Sequence, residues 1–354
     1  MEEKTPAASG YRMPAEWEPH EATWIAWPHE RSDWPGKFAP IPWVYGEIVR
    51  YLSRVEKVRI LIEHERAGRS ARAVLDKCGA RMEQVEFFRF PTDRSWTRDY
   101  CPIFVRRLDG RVAMTHWRFN GWAKYANHAR DSVIPLRLRD RLKLPYFKSM
   151  AGKRHVVLEG GAIDVNGSGT LLTTEECLLS PVQARNPGIS RDDLERLFAD
   201  YLGVSHVLWL RNGIAGDDTH GHIDDLARFV APRTVVIASE TDKEDANFFP
   251  LAENFRLLRK MSDQDGKPLD VVKLPMPRPV MFAGQRLPAS YANFYIANGL
   301  VLVPVFNDPA DRIALQVLAR LFPDREIVPV FCRDLVLGLG ALHCATQQQP
   351  AGGA

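Results

Sequence analysis

The feature that most constrains the fold is an alternation, along the whole chain, of short apolar runs rich in β-branched and aromatic residues with longer segments of helical periodicity. The order of strands, helix, strands, helix recurs about five times, without a Gly/Ser linker or a low-complexity block. This order predicts an α/β architecture with mixed sheets. A doubly wound sheet fits the same order, but the sequence contains neither the glycine-rich dinucleotide fingerprint nor a P-loop, so nucleotide binding has no support.

Individual elements follow from periodicity and from turn residues. The Asn298-Gly299 pair between two apolar runs predicts a hairpin, and Ser190 and Asp308 are expected to cap helices. Helices are predicted at 41–55, 69–79, 190–203, 247–262 and 308–323. Strands are predicted at 57–63, 85–90, 102–107, 111–119, 155–166, 169–179, 206–210, 226–239 (broken by a turn at Pro232), 269–275, 293–306 and 326–331.

Composition narrows the function classes. The chain has 354 residues, 45% hydrophobic and 26% charged, which is an ordinary globular profile. Its net charge of +3 gives no support for nucleic-acid binding, and the basic run at 137–143 is expected to be the solvated face of a helix. No uncharged apolar run approaches the length of a membrane span, and the N-terminus lacks the pattern of a signal peptide.

The cysteines argue against structural crosslinks. They number five, stand far apart and form no CxxC pair, so neither a disulfide framework nor a thiolate zinc knot is expected. A reducing compartment, the cytoplasm, fits best. Cys78, Cys101, Cys177 and Cys332 are expected to be buried small hydrophobes, whereas Cys344 follows a glycine-containing stretch in "LGLGALHCATQQQP" and is a candidate nucleophile.

A second candidate stretch is "GDDTHGHIDDLARF", residues 216–229. If it enters a strand, His220, His222 and Asp224 share one face, because residues two apart point the same way. One hypothesis makes these three side chains metal ligands. The other makes His222 a general acid/base and Asp224 the partner of a cation. A polar strand end satisfied by its neighbours is the non-functional interpretation.

Two further carboxylates stand at suggestive positions. Asp99 in "SWTRDYCPIFV" precedes an apolar run, beside Arg98 and near Trp96, although an Arg98–Asp99 ion pair in a loop explains it equally well. Glu159 ends an apolar run and is followed by Gly-Gly, which indicates close approach of backbone or ligand.

Taken together, these residues fit one chemistry without a metal or another cofactor. A thiol, an imidazole and several carboxylates suit attack on a planar, cationic carbon such as that of a guanidinium. Two carboxylates can hold its N–H fork as they hold arginine side chains. The thiolate attacks the carbon, the imidazole protonates the departing ammonia, and water hydrolyses the covalent thiouronium.

The motifs that carry these residues belong to a recognisable set. It runs from "YRMPAEWEPHEATWIAWP" (11–28) through "WTRDYCP", "FNGW", "LEGGAIDVNGSGTLLTTEECLL", "GDDTHGHIDDLARFV" and "SYANFYIANG" to "HCATQQQP" (343–350). By these motifs, nearly the whole chain resembles the agmatine deiminase and bacterial-type peptidylarginine deiminase family of guanidine-modifying enzymes.

The resemblance implies a fold and a set of roles. The fold would be a five-bladed α/β propeller (pentein) with pseudo-fivefold repeats, forming a single catalytic domain over 1–354 with an ordered core at about 11–350. Cys344 would be the nucleophile, His222 the general acid/base and Glu159 its partner. The remaining family positions would hold the substrate: Asp99 and Asp224 at the guanidinium, Trp96 and Gly340 beside it, and Asp218 facing its amine.

Some positions depart from the agmatine deiminase pattern. An acidic residue is usual at His220, glycine is usual at Cys101 and at Leu339, and Asn-Ile is usual at Ala341-Leu342. The stretch 281–290 is also shorter than usual. These changes leave every candidate catalytic residue in place and bear on the substrate.

The resulting prediction is a cytoplasmic, metal-free C–N hydrolase that converts agmatine to N-carbamoylputrescine and ammonia in putrescine and polyamine supply. Its partner is a small guanidine, with no nucleic acid and no membrane, and a homo-oligomer is compatible with the sequence. One alternative is deimination of free or peptide-bound arginine, with Arg98 or Arg228 holding the α-carboxylate, or of another guanidine. The others are a metallohydrolase using His220, His222 and Asp224, and a binding pentein without turnover.

Overall fold

The structure, a computed structural model, describes residues 5–353. Over this range it is a mixed α/β fold with eight α-helices and several small sheets. The helices are Ile41–Leu52, Glu65–Cys78, Thr97–Tyr100, Ile134–Leu142, Glu175–Leu179, Arg191–Leu202, Phe248–Leu258 and Ala310–Leu321. None of them is both long and apolar enough to cross a bilayer, within the residues described.

Five sheets in the described range have three or four strands each. In spatial order, their strands are Gln347–Pro350, His20–Ala26, Lys57–Leu61 and Val85–Phe88; Tyr11–Arg12, Ile103–Arg107, Val112–His116 and Tyr146–Lys148; Asp164–Val165, Thr170–Thr174 and His206–Leu210; Ala227–Ala231, Thr234–Ser239 and Asp270–Pro275; and Tyr295–Ala297, Leu300–Val305 and Glu326–Phe331. Two short hairpins pair Met150–Ala151 with Arg154–His155 and Met281–Phe282 with Gln285–Arg286.

All five sheets contain the same unit, an antiparallel pair whose second strand has a parallel neighbour. In one of them Ala297 pairs antiparallel with Leu300, and Leu300 pairs parallel with Glu326. The helix Ala310–Leu321 makes the crossover between the parallel strands, as a parallel pair requires. The predicted α/β class with mixed sheets is therefore confirmed.

The two ends of the chain meet in one sheet. The last strand, Gln347–Pro350, pairs antiparallel with His20–Ala26, and the Trp24 indole Nε1 donates to Gln349 Oε1 at 3.0 Å. The turn before this last strand carries Cys344, so the pairing of the termini fixes the position of the candidate nucleophile.

The apolar core is divided among three clusters. The largest packs helices Ile41–Leu52 and Ala310–Leu321 against the sheets and includes Cys344. The other two lie beneath helices Arg191–Leu202 and Phe248–Leu258. The polar candidates therefore lie within apolar surroundings, where unpaired charges are costly.

Several elements match their prediction closely. Ser190 caps its helix and forms a capping box with Asp193, and Gly299 has the positive φ of 76° that the hairpin requires. The basic run lies mainly on the helix Ile134–Leu142.

Other predicted boundaries were wrong for local reasons. The run at 169–179 is a strand only to Thr174, because the Thr174 hydroxyl accepts from the Cys177 amide and starts a helix. Asp308 does not cap the helix that begins at Ala310, although its Oδ1 accepts from the Ala310 amide. The run at 155–166 is broken by the 3-10 turn Gly160–Ala162, and the strand His20–Ala26 was missed.

Candidate active site

Cys344 lines a cavity of about 450 Å³. Asp99 reaches the same cavity, Trp96 and Trp122 contribute aromatic walls, and Asp218 lines it as well. The volume is in the range of small-molecule sites. His222, Glu159 and Asp224 lie behind this lining, each almost fully buried.

The Cys344 sulfur has an oriented neighbour that the sequence analysis missed. Asn293 Nδ2 donates to Cys344 Sγ at 3.1 Å. The amide cannot be reversed without loss, because Asn293 Oδ1 accepts from the His343 backbone N–H at 2.9 Å. Asn293 is the fourth residue of "SYANFYIANG", a motif that carried the family resemblance but gave no signal for this particular side chain.

Burial raises the pKa of the Cys344 thiol well above its usual range, and the carboxyl groups of Asp224, Asp225 and Asp99 add to the rise. The thiol therefore stays protonated until positive charge enters the site, since a cation offsets these carboxylates.

Asp99 is held at the cavity from two sides. It sits on the short helix Thr97–Tyr100; its Oδ2 accepts from Trp122 Nε1 at 2.8 Å and its Oδ1 accepts from the Gly161 amide at 3.0 Å. Burial raises the pKa of Asp99 to about 6, in spite of the opposing effect of His222. Arg98 is not its partner: Arg98 pairs with Glu16 at 3.4 Å, so the interpretation of an Arg98–Asp99 pair was wrong.

Asp224 lies on the 3-10 turn Ile223–Asp225 and is completely buried. Its Oδ2 is 2.7 Å from His343 Nδ1, while its Oδ1 has no hydrogen-bond partner among the described residues. Burial favours the neutral acid, but the hydrogen bond and charge of His343 keep the pKa of Asp224 below its usual value. An ionised oxygen is thus left free for a donor.

His222 stands between the carboxylates. Its Nδ1 lies 4.0 Å from Asp99 Oδ1 and 3.9 Å from Asp224 Oδ1, and its Nε2 lies 3.7 Å from Glu159 Oε2. Burial alone would lower the pKa of His222, but Asp99, Cys177 and Glu159 together raise it well above its usual range. The arrangement favours an imidazolium that can give up a proton.

Glu159 has a buried partner of its own. Arg185 Nε lies 3.1 and 3.2 Å from the two Glu159 oxygens, and both side chains are fully buried. Burial favours the neutral acid, but Arg185 and His222 lower the pKa of Glu159 below its usual value. No sequence signal distinguished Arg185 from other arginines.

His220 lies apart from His222 and Asp224. It has a positive φ of 65°, and its Nε2 contacts Ser180 Oγ at 3.2 Å in a separate surface recess. The segment turns here because Asp217 Oδ2 accepts from the Gly221 and His222 amides. The prediction that His220, His222 and Asp224 share one face of a strand was therefore wrong. The metallohydrolase alternative, which needs these three side chains as its ligand set, was wrong for the same reason.

Aromatic packing positions the cavity wall. A Cβ added at Gly340 would lie 2.9 Å from a Trp96 ring carbon and 3.0 Å from the Cys344 Cβ. Asp218 sits at the other side, where the Tyr125 hydroxyl donates to it at 2.6 Å and Lys124 forms an ion pair with it. Trp96, Gly340 and Asp218, to which the resemblance assigns substrate binding, all line this one cavity.

A buried charge network behind the site was missed. Glu16 Oε2 lies 2.8 Å from His343 Nε2, and Glu16 Oε1 lies 2.9 Å from Arg228. Since His343 also contacts Asp224, the network links the N-terminal segment to the candidate site. The sequence signal that could have pointed to this network is the position of His343 directly before the candidate nucleophile Cys344.

Comparison with known proteins shows the family of the chain. The profile of the Porphyromonas-type peptidyl-arginine deiminase family matches residues 12–350. The chain belongs to this family. An agmatine deiminase of Pseudomonas aeruginosa (strain LESB58) is 37% identical over 98% of this chain and 97% of its own length. Deiminases hydrolyse C–N bonds, so the chain is a hydrolytic enzyme of this type.

Solved structures give the same result. The agmatine deiminase of Enterococcus faecalis is 30% identical, with a TM-score of 0.91 over 99% of both chains. A substrate-bound agmatine deiminase of C. jejuni is 30% identical, with a TM-score of 0.85 over 97% of both chains. The mixed α/β fold is therefore shared along almost the entire length.

Proposed function

We propose that this enzyme is an agmatine deiminase that hydrolyses agmatine to N-carbamoylputrescine and ammonia. The observation that carries the proposal is the meeting of a buried cysteine with two buried carboxylates: Asp99 lines the same cavity as Cys344, and Asp224 lies directly behind it, 3.6 Å from the sulfur. Such a site is electrostatically unfavourable when empty and suits a planar cation. Relatives named agmatine deiminase at 37% identity support the choice of guanidine.

Binding of the guanidinium uses these two carboxylates. Asp224 Oδ1 is buried without a partner in the described part of the chain, and Asp99 Oδ1 and Asp224 Oδ1 both lie near His222 Nδ1, at 4.0 and 3.9 Å. Each carboxylate can accept N–H groups of the guanidinium fork. The cation offsets the carboxylates that raise the Cys344 pKa, so the thiol loses its proton to solvent as substrate binds.

The chemistry then runs through one covalent intermediate. The Cys344 thiolate attacks the guanidinium carbon, and the His222 imidazolium gives its proton to an NH₂ group of the tetrahedral adduct, which leaves as NH₃ as its C–N bond breaks. Neutral His222 next takes a proton from water as the oxygen attacks the thiouronium carbon. The C–S bond breaks, the thiolate leaves, and the ureido product loses its extra proton to solvent, where ammonia is protonated.

Three neighbours support these steps. Asn293 Nδ2, 3.1 Å from the sulfur, stabilises the thiolate by donating a hydrogen bond. Glu159, held by Arg185, stabilises the imidazolium form of His222. Trp96 packs beside the guanidinium plane, with Gly340 leaving room for its ring.

Residues at the far end of the cavity would determine whether agmatine or arginine is the preferred substrate. Asp218 supplies a carboxylate for the primary amine of agmatine, in exchange with Lys124. Arginine would need a cation for its α-carboxylate. Arg98 and Arg228 are buried against Glu16, which makes them unsuitable, whereas Arg94 lines the cavity and keeps arginine as a second candidate substrate.

The same proposal extends to the architecture. The five repeated units, each an antiparallel pair with a parallel neighbour, support a five-bladed pentein propeller. We take residues 1–354 as one catalytic domain with its core at about 11–350. Its five cysteines are all free, which supports the cytoplasm as its compartment, where the product supplies putrescine and polyamines.

A substrate comparison tests the function. Ammonia and ureido product are measured with purified protein offered agmatine, arginine and a blocked arginine peptide, alongside a Cys344→Ser variant. We expect turnover on agmatine, lost by about 10³-fold or more in the variant. Turnover on arginine instead would favour the Arg94 alternative, and wild-type activity in Cys344→Ser would contradict the covalent route.

A further inference from the structure

A second cysteine lies against His222. Cys177 is 1% exposed, on the helix Glu175–Leu179. One atom each of Glu159, Cys177 and His222 all lie within 4.8 Å of one another. Within residues 5–353, this is the one group of three or more His, Cys, Asp and Glu side chains that meets this distance.

His222 is the member of this group with free coordination capacity. Its side chain is 1% exposed, and neither ring nitrogen has a hydrogen-bond partner within the described residues. Nε2 is the nitrogen nearest Glu159, at 3.7 Å, whereas Nδ1 points toward Asp99 and Asp224. An ion held together with Glu159 would therefore take Nε2 and leave Nδ1 toward the substrate cavity.

We propose that Glu159, Cys177 and His222 form an inhibitory site for a borderline-soft divalent metal ion such as Zn²⁺. Three atoms no more than 4.8 Å apart share a centre at most about 2.8 Å from each of them. Zinc bonds to S, N and O ligands are about 2.0–2.3 Å long, so side-chain shifts of well under 1 Å complete the site.

The donor set and its surroundings fit this class of ion. One thiolate and one imidazole favour zinc-type ions over Mg²⁺ or Ca²⁺, which take oxygen ligands. Arg185 contacts both oxygens of Glu159, but each carboxylate oxygen has a second lone pair for the metal. Binding releases the thiol proton of Cys177 and the Nε2 proton of His222 to solvent.

The functional consequence lies in proton transfer. With a metal on Nε2, the ring carries a proton on Nδ1 alone and cannot become an imidazolium. Protonation of the departing ammonia then fails, although the guanidinium can still bind Asp99 and Asp224. The inhibitory step rests on the proposed function, whereas metal binding itself does not.

Cobalt absorption tests binding without the nucleophile. Co²⁺ is titrated into the Cys344→Ser protein, in which Cys344 cannot contribute a thiolate. We expect one Co²⁺ per chain with a thiolate-to-cobalt charge-transfer band, retained when Cys332→Ala is added and lost when Cys177→Ala is added. Cys332 is a matched control because it is also completely buried. Absence of the band in Cys344→Ser, or its survival in the Cys177→Ala double variant, would overturn the proposal.

Inhibition gives a second readout. In the wild-type enzyme, micromolar Zn²⁺ should lower kcat with little change in KM, while Mg²⁺ has no effect. Relative to each variant's own uninhibited rate, Cys177→Ala and the more volume-conserving Cys177→Ser should need at least tenfold more Zn²⁺. Competitive inhibition that is unchanged in both variants would place the ion on Cys344 and contradict the proposal. If the enzyme turned over no guanidine, the cobalt titration would still decide whether the site binds metal.

Discussion

Three carboxyl groups surround the Cys344 sulfur, those of Asp99, Asp224 and Asp225. Burial and the neighbouring Asp224 raise the pKa of Asp225 well above its usual value, which favours the neutral form of this carboxyl group. The negative charge near the sulfur therefore comes from Asp224, whose pKa is lowered, and from Asp99, whose pKa of about 6 leaves it ionised at neutral pH. At the scale of single residues, the same carboxylates that would hold the substrate keep the empty enzyme's thiol unreactive.

Asp224→Asn should separate these two effects. Without this charge the pKa of Cys344 falls, so alkylation by neutral iodoacetamide at pH 7.5 should become roughly tenfold faster. Guanidine turnover should fall by at least about 10²-fold, because the guanidinium loses its ionised acceptor. Alkylation rates and ammonia release measure the two quantities on the same preparation.

The control is Asp109→Asn, since Asp109 is a surface carboxylate with a 42% exposed side chain. It should change neither rate. If Asp224→Asn instead slowed alkylation in parallel with turnover, Asp224 would be promoting thiolate formation and the electrostatic account would be incorrect.

The sequence indicated the candidate residues whose side-chain types are typical of catalysis. It did not indicate the residues that reach the site only through tertiary contacts. Cys344, His222 and Asp224 stand in motifs where nucleophile, base and acid types coincide. Asn293 and Arg185 are ordinary residue types that matter because folding brings them within 3.1 Å of Cys344 Sγ and of a Glu159 oxygen. No local pattern encodes a contact between residues 51 positions apart.

At the scale of elements, the turn before the last strand is shaped by packing against Trp96. Gly338 and Gly340 lie against this ring, and a Cβ at Gly340 would come within 2.9 Å of it. Contacts this short force neighbours to move. The glycines therefore set the distance between the indole and Cys344.

Gly340→Ala should move Trp96 and reduce kcat/KM for the guanidine substrate by about 10- to 100-fold, because small misplacements of reacting groups are costly. The thermal midpoint should change by only a few degrees. Gly352→Ala is the control, since a Cβ added there would lie 3.6 Å from the Gly110 carbonyl oxygen, an ordinary van der Waals contact. Unchanged kinetics in Gly340→Ala would mean that Trp96 does not pack against substrate.

The turn Gly121–Ala123 holds Trp122 at a φ of 57°, a strained region for an aromatic residue. The strain places the indole N–H 2.8 Å from Asp99 Oδ2. That hydrogen bond lowers the pKa of Asp99, which burial has raised to about 6. The element thus keeps Asp99 ionised near neutral pH.

Trp122→Phe should raise the pKa of Asp99 further. Guanidinium binding needs the ionised acid, so affinity is present above this pKa and lost as pH falls through it. We expect KM to rise by about tenfold at pH 6 and by less than about threefold at pH 9. Trp117→Phe, which removes an indole donor to Thr115 instead, should leave the pH profile unchanged. A uniform KM increase at all pH values would contradict the electrostatic role.

Helices and strands were predicted well where the apolar periodicity extends over many residues. The prediction failed where one capping side chain sets the boundary between a strand and a helix. The helices at 191–202 and 310–321 follow from their apolar spacing. The switch from strand to helix at Thr174 depends on one hydroxyl that accepts from the Cys177 amide. The strand His20–Ala26 escaped prediction because it is buried by pairing with the last strand, 347–350, at the far end of the sequence.

At the scale of the whole molecule, the long-range contacts converge behind the site. Glu16 accepts from the Ile296 amide at 2.8 Å and pairs with Arg98, Arg228 and His343. Burial opposes its ionisation, but Arg228 and His343 lower the pKa of Glu16 well below its usual value. One buried carboxylate therefore joins four distant segments of the chain, which a reading of separate motifs cannot reveal.

Glu16→Gln should test how far the site depends on this network. The amide can still accept from His343, but the loss of a buried negative charge leaves Arg98 and Arg228 poorly compensated. We expect a destabilisation of about 3 kcal/mol or more, measured by urea unfolding.

The same substitution should change the pH dependence, because the hydrogen bond and charge of His343 lower the pKa of Asp224. Loss of the Glu16 contact that orients His343 should weaken the His343–Asp224 hydrogen bond, raise the pKa of Asp224 and move the acid limb of kcat/KM to higher pH. Glu21→Gln, which removes a surface partner of Lys57 with 38% exposure, should cost less than about 1 kcal/mol and leave the pH profile in place. If Glu16→Gln lost stability but kept the wild-type pH profile, the network would serve folding alone, and Asp224 would be set by its immediate neighbours.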